Sequence, residues 1–410
     1  MANKSKAIWT QSFSFLCLAQ FLGYSHNAVL TPTLPLYVTH LGGTPFLVGV
    51  TLAAFSVTSV LLRPSIGHWA DSWSDAGVMI VGVLLLGLSV LLWLVPSIEV
   101  IMGANAVRGI AWAGLNTGGY CLLANTAPPA RRGEASGYYT GVQSGPTLLV
   151  PAVALWLVAA PWGGFRLVIF TSAALAIAGA LFGFLVKPST TPRRPAKPSL
   201  PTSRPAASAS TFLDHGVLMA TVLLLCVTLP NSAASGFLVL YAQHLGVESV
   251  GWYFVVSGCT SLLVRPLLGR ISDRAGRAQT IVAGLLLQMT GLLIFSAASS
   301  LSMIILAGAL YAAGAAVGTA ATMALAIDLS DPRRRGVAMA TFSTAFPMGH
   351  GLGALIAGSA VELIGYGGMY IATAALISGG LLFAFVNWSV LSRTTEESHE
   401  RRRETEEGAK

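Results

Sequence analysis

Arg63-Pro64-Ser65-Ile66-Gly67-His68-Trp69-Ala70-Asp71 returns later in the chain as Arg265-Pro266-Leu267-Leu268-Gly269-Arg270-Ile271-Ser272-Asp273. Both copies close a long apolar segment. Both also follow a Tyr-x-x-His-Leu-Gly stretch, Tyr37 to Gly42 and Tyr241 to Gly246. A second pair, Pro129 to Gly133 and Pro332 to Gly336, keeps nearly the same offset. A repeat of this period in a strongly apolar chain means two homologous membrane halves running in the same orientation.

Composition agrees. Of 410 residues only 10% are charged and 54% are hydrophobic, with a mean hydropathy of +0.70. A soluble domain carries roughly 25% charged residues. The net charge of +8 invites a nucleic-acid reading, but the basic residues stand in short gaps between apolar segments, where the positive-inside rule puts them. Cys17, Cys121, Cys226 and Cys259 lie inside apolar segments at unrelated spacings, so no disulfide framework or zinc site follows. No phosphate-binding loop, nucleophile constellation or metal cluster is visible, which excludes an ATP-driven pump and an enzyme and calls for no cofactor.

Apolar stretches of about 20 residues divide the chain into twelve spans. The first six lie at roughly 12–37, 46–66, 77–96, 100–124, 135–160 and 166–187, and the second six at roughly 214–241, 248–268, 279–298, 302–327, 336–361 and 367–391. Lys4 and Lys6 precede a run with no small-residue cleavage site, which therefore reads as the first span rather than a signal peptide. The expected fold is all-α, with twelve transmembrane helices in two parallel-repeat six-helix bundles. The expected units are 1–187, a Pro/Ser-rich basic linker over 188–213, a second bundle over 214–391, and a charged tail over 392–410. Of the 24 basic residues, only Arg166 falls in a gap on the far side and only Arg108 lies deep in a span, which makes both termini cytoplasmic. Compact loops fit a bacterial inner membrane.

The duplicated loop resembles the Gly-x-x-x-Asp-Arg-x-Gly-Arg signature of the major facilitator superfamily, and the resemblance spans nearly the whole chain. The second copy matches better, with Gly269, Asp273, Arg274, Gly276 and Arg277. The first keeps Gly67, Asp71 and Gly77 but has Ser72, Trp73, Ser74 and Asp75 where basic residues are expected. The resemblance implies a functional monomer working by alternating access, with Asp71 helping to hold a cytoplasmic gate shut. Arg63 and Arg265 stand about one turn inside the membrane from these loops. Each either snorkels to headgroups or pairs with a carboxylate across the gate. Gly141-Val-Gln-Ser-Gly145-Pro146 resembles the antiporter element Gly-x-x-x-Gly-Pro, in which small residues permit close helix approach and proline bends the helix. A generic small-residue packing face is the alternative.

Polar residues on helical stripes mark a candidate substrate cavity. Gln20, Tyr24, Asn27 and Thr31 share one face of the first span, and Arg108, Trp112, Asn116 and Tyr120 recur every fourth residue in the fourth. Arg108 costs at least ~2.5–3.5 kcal/mol at mid-membrane. It therefore faces an aqueous cavity or is tied to backbone carbonyls or to a carboxylate such as Asp71. Gln143, Asn231 and Gln288 are further contributors, with Tyr139, Thr228 and Ser235 beside them. Proton-coupled relatives often carry a carboxylate in mid-span, and this chain has none there. The coupling candidates are therefore His26, His350, Asp328 and Glu362. His26 lies off the stripe of its own helix, whereas His350 shares a face with Ser343 and Pro347.

The expected function is export of a small organic molecule (anionic, zwitterionic or neutral and amphiphilic) in exchange for protons, with the lipid bilayer as surroundings. Uptake of an anionic metabolite with protons uses the same residues. A lipid flippase or a non-transporting membrane protein belongs to another class, and the former requires an apolar lateral cleft.

Overall fold

The computed structural model describes residues 8–128, 131–186, 214–330 and 335–392, and the described residues are helical with short connections. The linker, the tail beyond 392, and most of the Pro129 and Pro332 loops lie outside them. So do the side chains of Arg265, Gly269, Asp273 and Arg274.

The first half runs α1 (Gln11–His40), α2 (Pro45–Leu61), α3 (Arg63–Ser72), α4 (Asp75–Leu91), α5 (Ile98–Thr126), α6 (Arg132–Ser144), α7 (Pro146–Ala159) and α8 (Phe165–Phe184). The second runs α9 (Leu218–Thr228), α10 (Leu238–His244), α11 (Gly251–Ala275), α12 (Arg277–Ser296), α13 (Leu301–Leu329), α14 (Arg335–Ser343) and α15 (Ala345–Val386). Proline accounts for two of the interruptions, because it lacks the N–H that the preceding turn needs. Pro64 starts α3 at a 46° bend from α2, and Pro146 starts α7 directly after Gly145. A π-helix over Ser232–Gly236 links α9 to α10. Gly365 at φ 75° breaks α15 into two crossings. The pieces α2–α3, α6–α7, α9–α10 and α14 with the first part of α15 each make one crossing, giving the twelve-helix fold in two six-helix bundles.

Among the described residues, seven helices are long and apolar enough to cross a bilayer, and the bent pair α2–α3 makes an eighth. Neither α1 nor α5 is among them, although their 30 and 29 residues suffice in length. Gln20, His26 and Asn27 in α1, and Asn105, Arg108 and Asn116 in α5, dilute their apolarity. Polar load thus singles out the helices at the centre of the first bundle.

The repeat is structural as well as textual. Tyr37 Oη donates to the Trp93 carbonyl at 2.7 Å, and Tyr241 Oη donates to the Ala298 carbonyl at 3.0 Å. His40 packs on Phe165 at 5.1 Å between ring centroids, and His244 on Tyr366 at 5.3 Å. The glycine ending each stretch adopts positive φ, 84° at Gly42 and 66° at Gly246, a region glycine enters without a Cβ penalty. The symmetry fails at the duplicated motif: α11 passes through Pro266 as one helix, whereas α2 and α3 bend.

Two seams join the halves, α2 with α15 and α7 with α11. In the first, a Cβ on Gly49 would lie 2.5 Å from the Ala354 carbonyl oxygen, and one on Gly358 would lie 2.6 Å from that of Pro45. Only glycine permits this approach. At the end of the seam, the Phe46 N–H donates to Glu362 Oε1 at 3.1 Å. Toward the same end of the bundle, every residue of 32–38 in α1 and of 236–242 around α10 is buried, so this end is closed.

Candidate functional site

Arg108 sits on α5 with only 3% of its surface exposed. One turn earlier on the same face, Asn105 accepts a hydrogen bond from its Nη1, and Asn27 Oδ1 on α1 accepts from Nη2 at 3.0 Å. The rings of Phe55 and Trp93 lie 5.4 and 5.7 Å from the guanidinium carbon. A desolvated cation–π contact is worth about 2 kcal/mol, so two amides and two rings together offset much of the burial cost. Asn105 is fixed in turn by donating to the Thr51 carbonyl at 2.6 Å. Arg108 and Asn27 are thus brought together as their stripes suggest. The expected partners were backbone carbonyls or Asp71, and the structure supplies side-chain amides and aromatic faces instead. In this conformation Arg108 is buried.

Below it, Tyr24 and Trp112 pack at 4.5 Å between ring centroids. Tyr24 Oη donates to Asn116 Oδ1 at 2.7 Å, and the exposed Tyr120 donates to Gln143 Oε1 at 3.2 Å. Gln143 reaches Gln20 at 3.2 Å, and Gln20 also donates to the Leu115 carbonyl. Gln20 and Gln288 are both fully enclosed. In this conformation each amide is bonded to a neighbouring helix, Gln288 to the Val227 carbonyl at 3.0 Å.

In the second half, His350 is exposed beside Asn231. Its Nδ1–H donates to the Phe346 carbonyl at 2.8 Å, which leaves Nε2 to accept from Asn231 Nδ2 at 3.3 Å. Asn231 Oδ1 then accepts from Tyr311 at 2.7 Å. A second proton on Nε2 would meet the Asn231 N–H head-on, so it requires the amide to turn. His350 and Asn231 are therefore linked through one hydrogen-bond chain. His26 is different: its ring is wholly buried, with Nδ1 3.0 Å from the Ser172 carbonyl, and Ser172 Oγ lies 3.3 Å from the His26 carbonyl. In this conformation it ties α1 to α8.

The two carboxylate candidates are also occupied elsewhere. Asp328 Oδ2 pairs with Arg277 Nε at 3.1 Å between α13 and the start of α12. Glu362 caps the first turn of α2. Arg63 pairs with no carboxylate among the described residues; its Nη1 donates to Ser343 Oγ at 3.1 Å. Gly67 is open, and Asp71 is exposed at the far end of α3. A Cβ built on Gly141 would meet nothing within 4 Å, and one on Gly145 would lie 3.5 Å from the Phe21 ring. The close packing expected of this pair is absent in this conformation. Beside it, a shallow depression between the α6–α7 junction and α11 is lined by Ser144, Gly145, Leu148, Gly258, Ser261 and Leu262.

Sequence reasoning missed Asn105, Tyr311 and Ser172. Asn105 carried a signal, since it lies three residues before Arg108 on one helical face. The other two act across helices at separations no local pattern reports.

The sequence profile of the Major Facilitator Superfamily matches residues 16–249 and 220–410. The chain is 22% identical over 395 residues to the staphylopine export protein of Staphylococcus aureus, covering 93% of this chain and 96% of that one. It is 28% identical over 296 residues to the multidrug resistance protein MdtG of Klebsiella pneumoniae, covering 68% and 70%. Among solved structures, it is similar to a bacterial homologue of the human lysosomal transporter Spinster in an inward-facing, occupied conformation. That match has a TM-score of 0.75 and 15% identity, covering 93% of this chain and 97% of that one.

Proposed function

This chain belongs to the major facilitator superfamily and is a membrane transporter rather than an enzyme, and we propose that it exports a small organic molecule in exchange for protons by alternating access. The observation that carries this reading is a junction between the halves that is sealed at one end, together with an exposed histidine, His350, hydrogen-bonded to Asn231. The sealed end comprises the Gly49 and Gly358 contacts, the Glu362 cap and the fully buried stretches at 32–38 and 236–242. Basic-residue placement makes this the outer end, with both termini and the 188–213 linker cytoplasmic and the chain working as a monomer in the inner membrane. The cleft wall consists of Tyr24, Asn27, Trp112, Asn116 and Tyr120 facing Asn231 and His350.

In this reading His350 carries the proton. Protonation turns the Asn231 amide and reverses its bond to Tyr311, whose hydroxyl must then accept from Nδ2 and turn its own proton elsewhere, which couples the charge on His350 to the α9–α10 π segment that lies against α1. Opening of the outer seam is accompanied by closure at the other end, where Gly141 has open space to receive a partner helix. The relative named as an export protein supports the outward direction.

Everted membrane vesicles test direction. Accumulation of a solute driven by an acidic lumen supports exchange. Accumulation only in right-side-out vesicles with an acidic exterior would make the protein an uptake symporter.

A further inference from the structure

We propose that Arg63 is the anchor for an anionic group of the transported solute, so that the cleft takes small amphipathic monoanions, carboxylates foremost, with an aromatic or apolar body. This deepens the export reading and rests on it.

The argument begins with the bend. Arg63 is the first residue of α3, and the 46° turn at Leu62 carries it off the line of α2 toward the opposite half. There its Nη1 donates to Ser343 Oγ at 3.1 Å, its one hydrogen bond to a described side chain. A guanidinium has five N–H donors, and a planar carboxylate matches two of them at once. No described carboxylate pairs with Arg63, although the residue is partly enclosed. A cation removed from water without a counter-charge is costly, and an incoming anion offsets that cost.

The surroundings fit such a guest. Tyr24 and Tyr120 stand on the candidate cavity stripes of α1 and α5. Both are held in place, by Asn116 at 2.7 Å and Gln143 at 3.2 Å. The Trp112 ring beside Tyr24 offers a flat apolar wall. Across the cleft, Ser343, Pro347 and His350 share one helical face, so the proton site stands on the same helix path as the Arg63 contact. Arg108 cannot serve the same end, because two amides and two rings already enclose it. The duplicate of the motif gives a further contrast. Arg265 precedes its proline too, yet α11 runs on through Pro266, so the bend that delivers Arg63 to the cleft belongs to one half only.

The test uses the purified full chain in uncharged detergent, titrated with phenylalkanoates of three to six carbons and their isosteric carboxamides, read by calorimetry. The expected result is that at least one carboxylate binds more tightly than its amide. In Arg63→Gln that preference falls by about tenfold to a hundredfold while amide binding is unchanged. Arg63→Lys keeps the charge but not the paired donors and retains part of the preference, which keeps the test open should Arg63→Gln fold poorly. Equal binding of acid and amide by the native chain overturns the proposal. So does a preference that survives Arg63→Gln. Equal weakening of both ligands in that variant would assign Arg63 to a gate instead. Repeating the titration in nanodiscs separates solute from lipid headgroup: loss of the preference when phosphatidylglycerol replaces phosphatidylcholine would give the site to a headgroup and overturn the assignment. Proton-coupled flux of neutral or cationic solutes alone sinks this inference and spares the export reading, whereas absence of any flux sinks the reading itself.

Discussion

Gly358→Ala places a single carbon where the two halves meet. The new Cβ would lie 2.6 Å from the Pro45 carbonyl oxygen and 3.2 Å from the Phe46 Cα, both backbone atoms that no rotamer change can move aside. Overpacking of this kind costs about 1–3 kcal/mol. Because the clash exists only while the outer seam is shut, that energy changes the ratio of open to closed forms by about 5-fold to 150-fold. Alanine also favours helix over glycine by about 1 kcal/mol, but it does so in both forms and leaves the ratio alone. The variant should therefore melt no earlier than the native chain while its outer end spreads. Spin labels on Val95 and Leu363, exposed at 51% and 81% on opposite halves, read this directly once the four native cysteines are replaced. The distance distribution in liposomes should shift to longer values. An unchanged distribution, or an early melt without a shift, would show that the Gly358 contact is part of the fold in every conformation and not a gate.

Three other perturbations separate framework from machinery. Arg108→Leu leaves the amide oxygens of Asn27 and Asn105 without their shared donor and should cost about 1–3 kcal/mol, seen as an earlier thermal midpoint in detergent; an unchanged midpoint would show the tie to be idle. Asp328→Asn strips the charge partner from Arg277, whose side chain is 9% exposed against 19% for Asp328. A loss of about 3 kcal/mol or somewhat less is expected, with transport coupling intact. His26→Gln should lower stability through its lost link to Ser172 while the proton-to-solute ratio stays at the native value. A changed ratio would return His26 to the list of proton carriers.

Much of the fold was legible because its signals are local or repeated. Apolar length set the twelve crossings, and the two Tyr-x-x-His-Leu-Gly stretches forecast two equivalent corners, which Tyr37 and Tyr241 confirm by closing onto matching carbonyls. What periodicity cannot supply is depth. It put Gln20 on the same face as Tyr24, yet Gln20 is enclosed because α5 approaches closely enough for it to reach the Leu115 carbonyl. It also treated the two Arg-Pro motifs alike, and only packing decided that one bends its helix. The partners of Arg108 were half legible, since Asn27 and Asn105 both stood at helical spacing, whereas the rings of Phe55 and Trp93 come from other crossings. The Asn231–His350–Tyr311 chain joins three crossings, and no pattern within one helix could have joined them.

The most direct test of the central claim is proton movement in proteoliposomes loaded with a pH-sensitive dye, comparing the native chain with His350→Gln. The account predicts protons moving opposite to the solute in the native protein. In the variant that movement is lost, while exchange of labelled for unlabelled solute continues. Solute flux with no proton movement in the native chain, or protons travelling in the same direction as the solute, would contradict it.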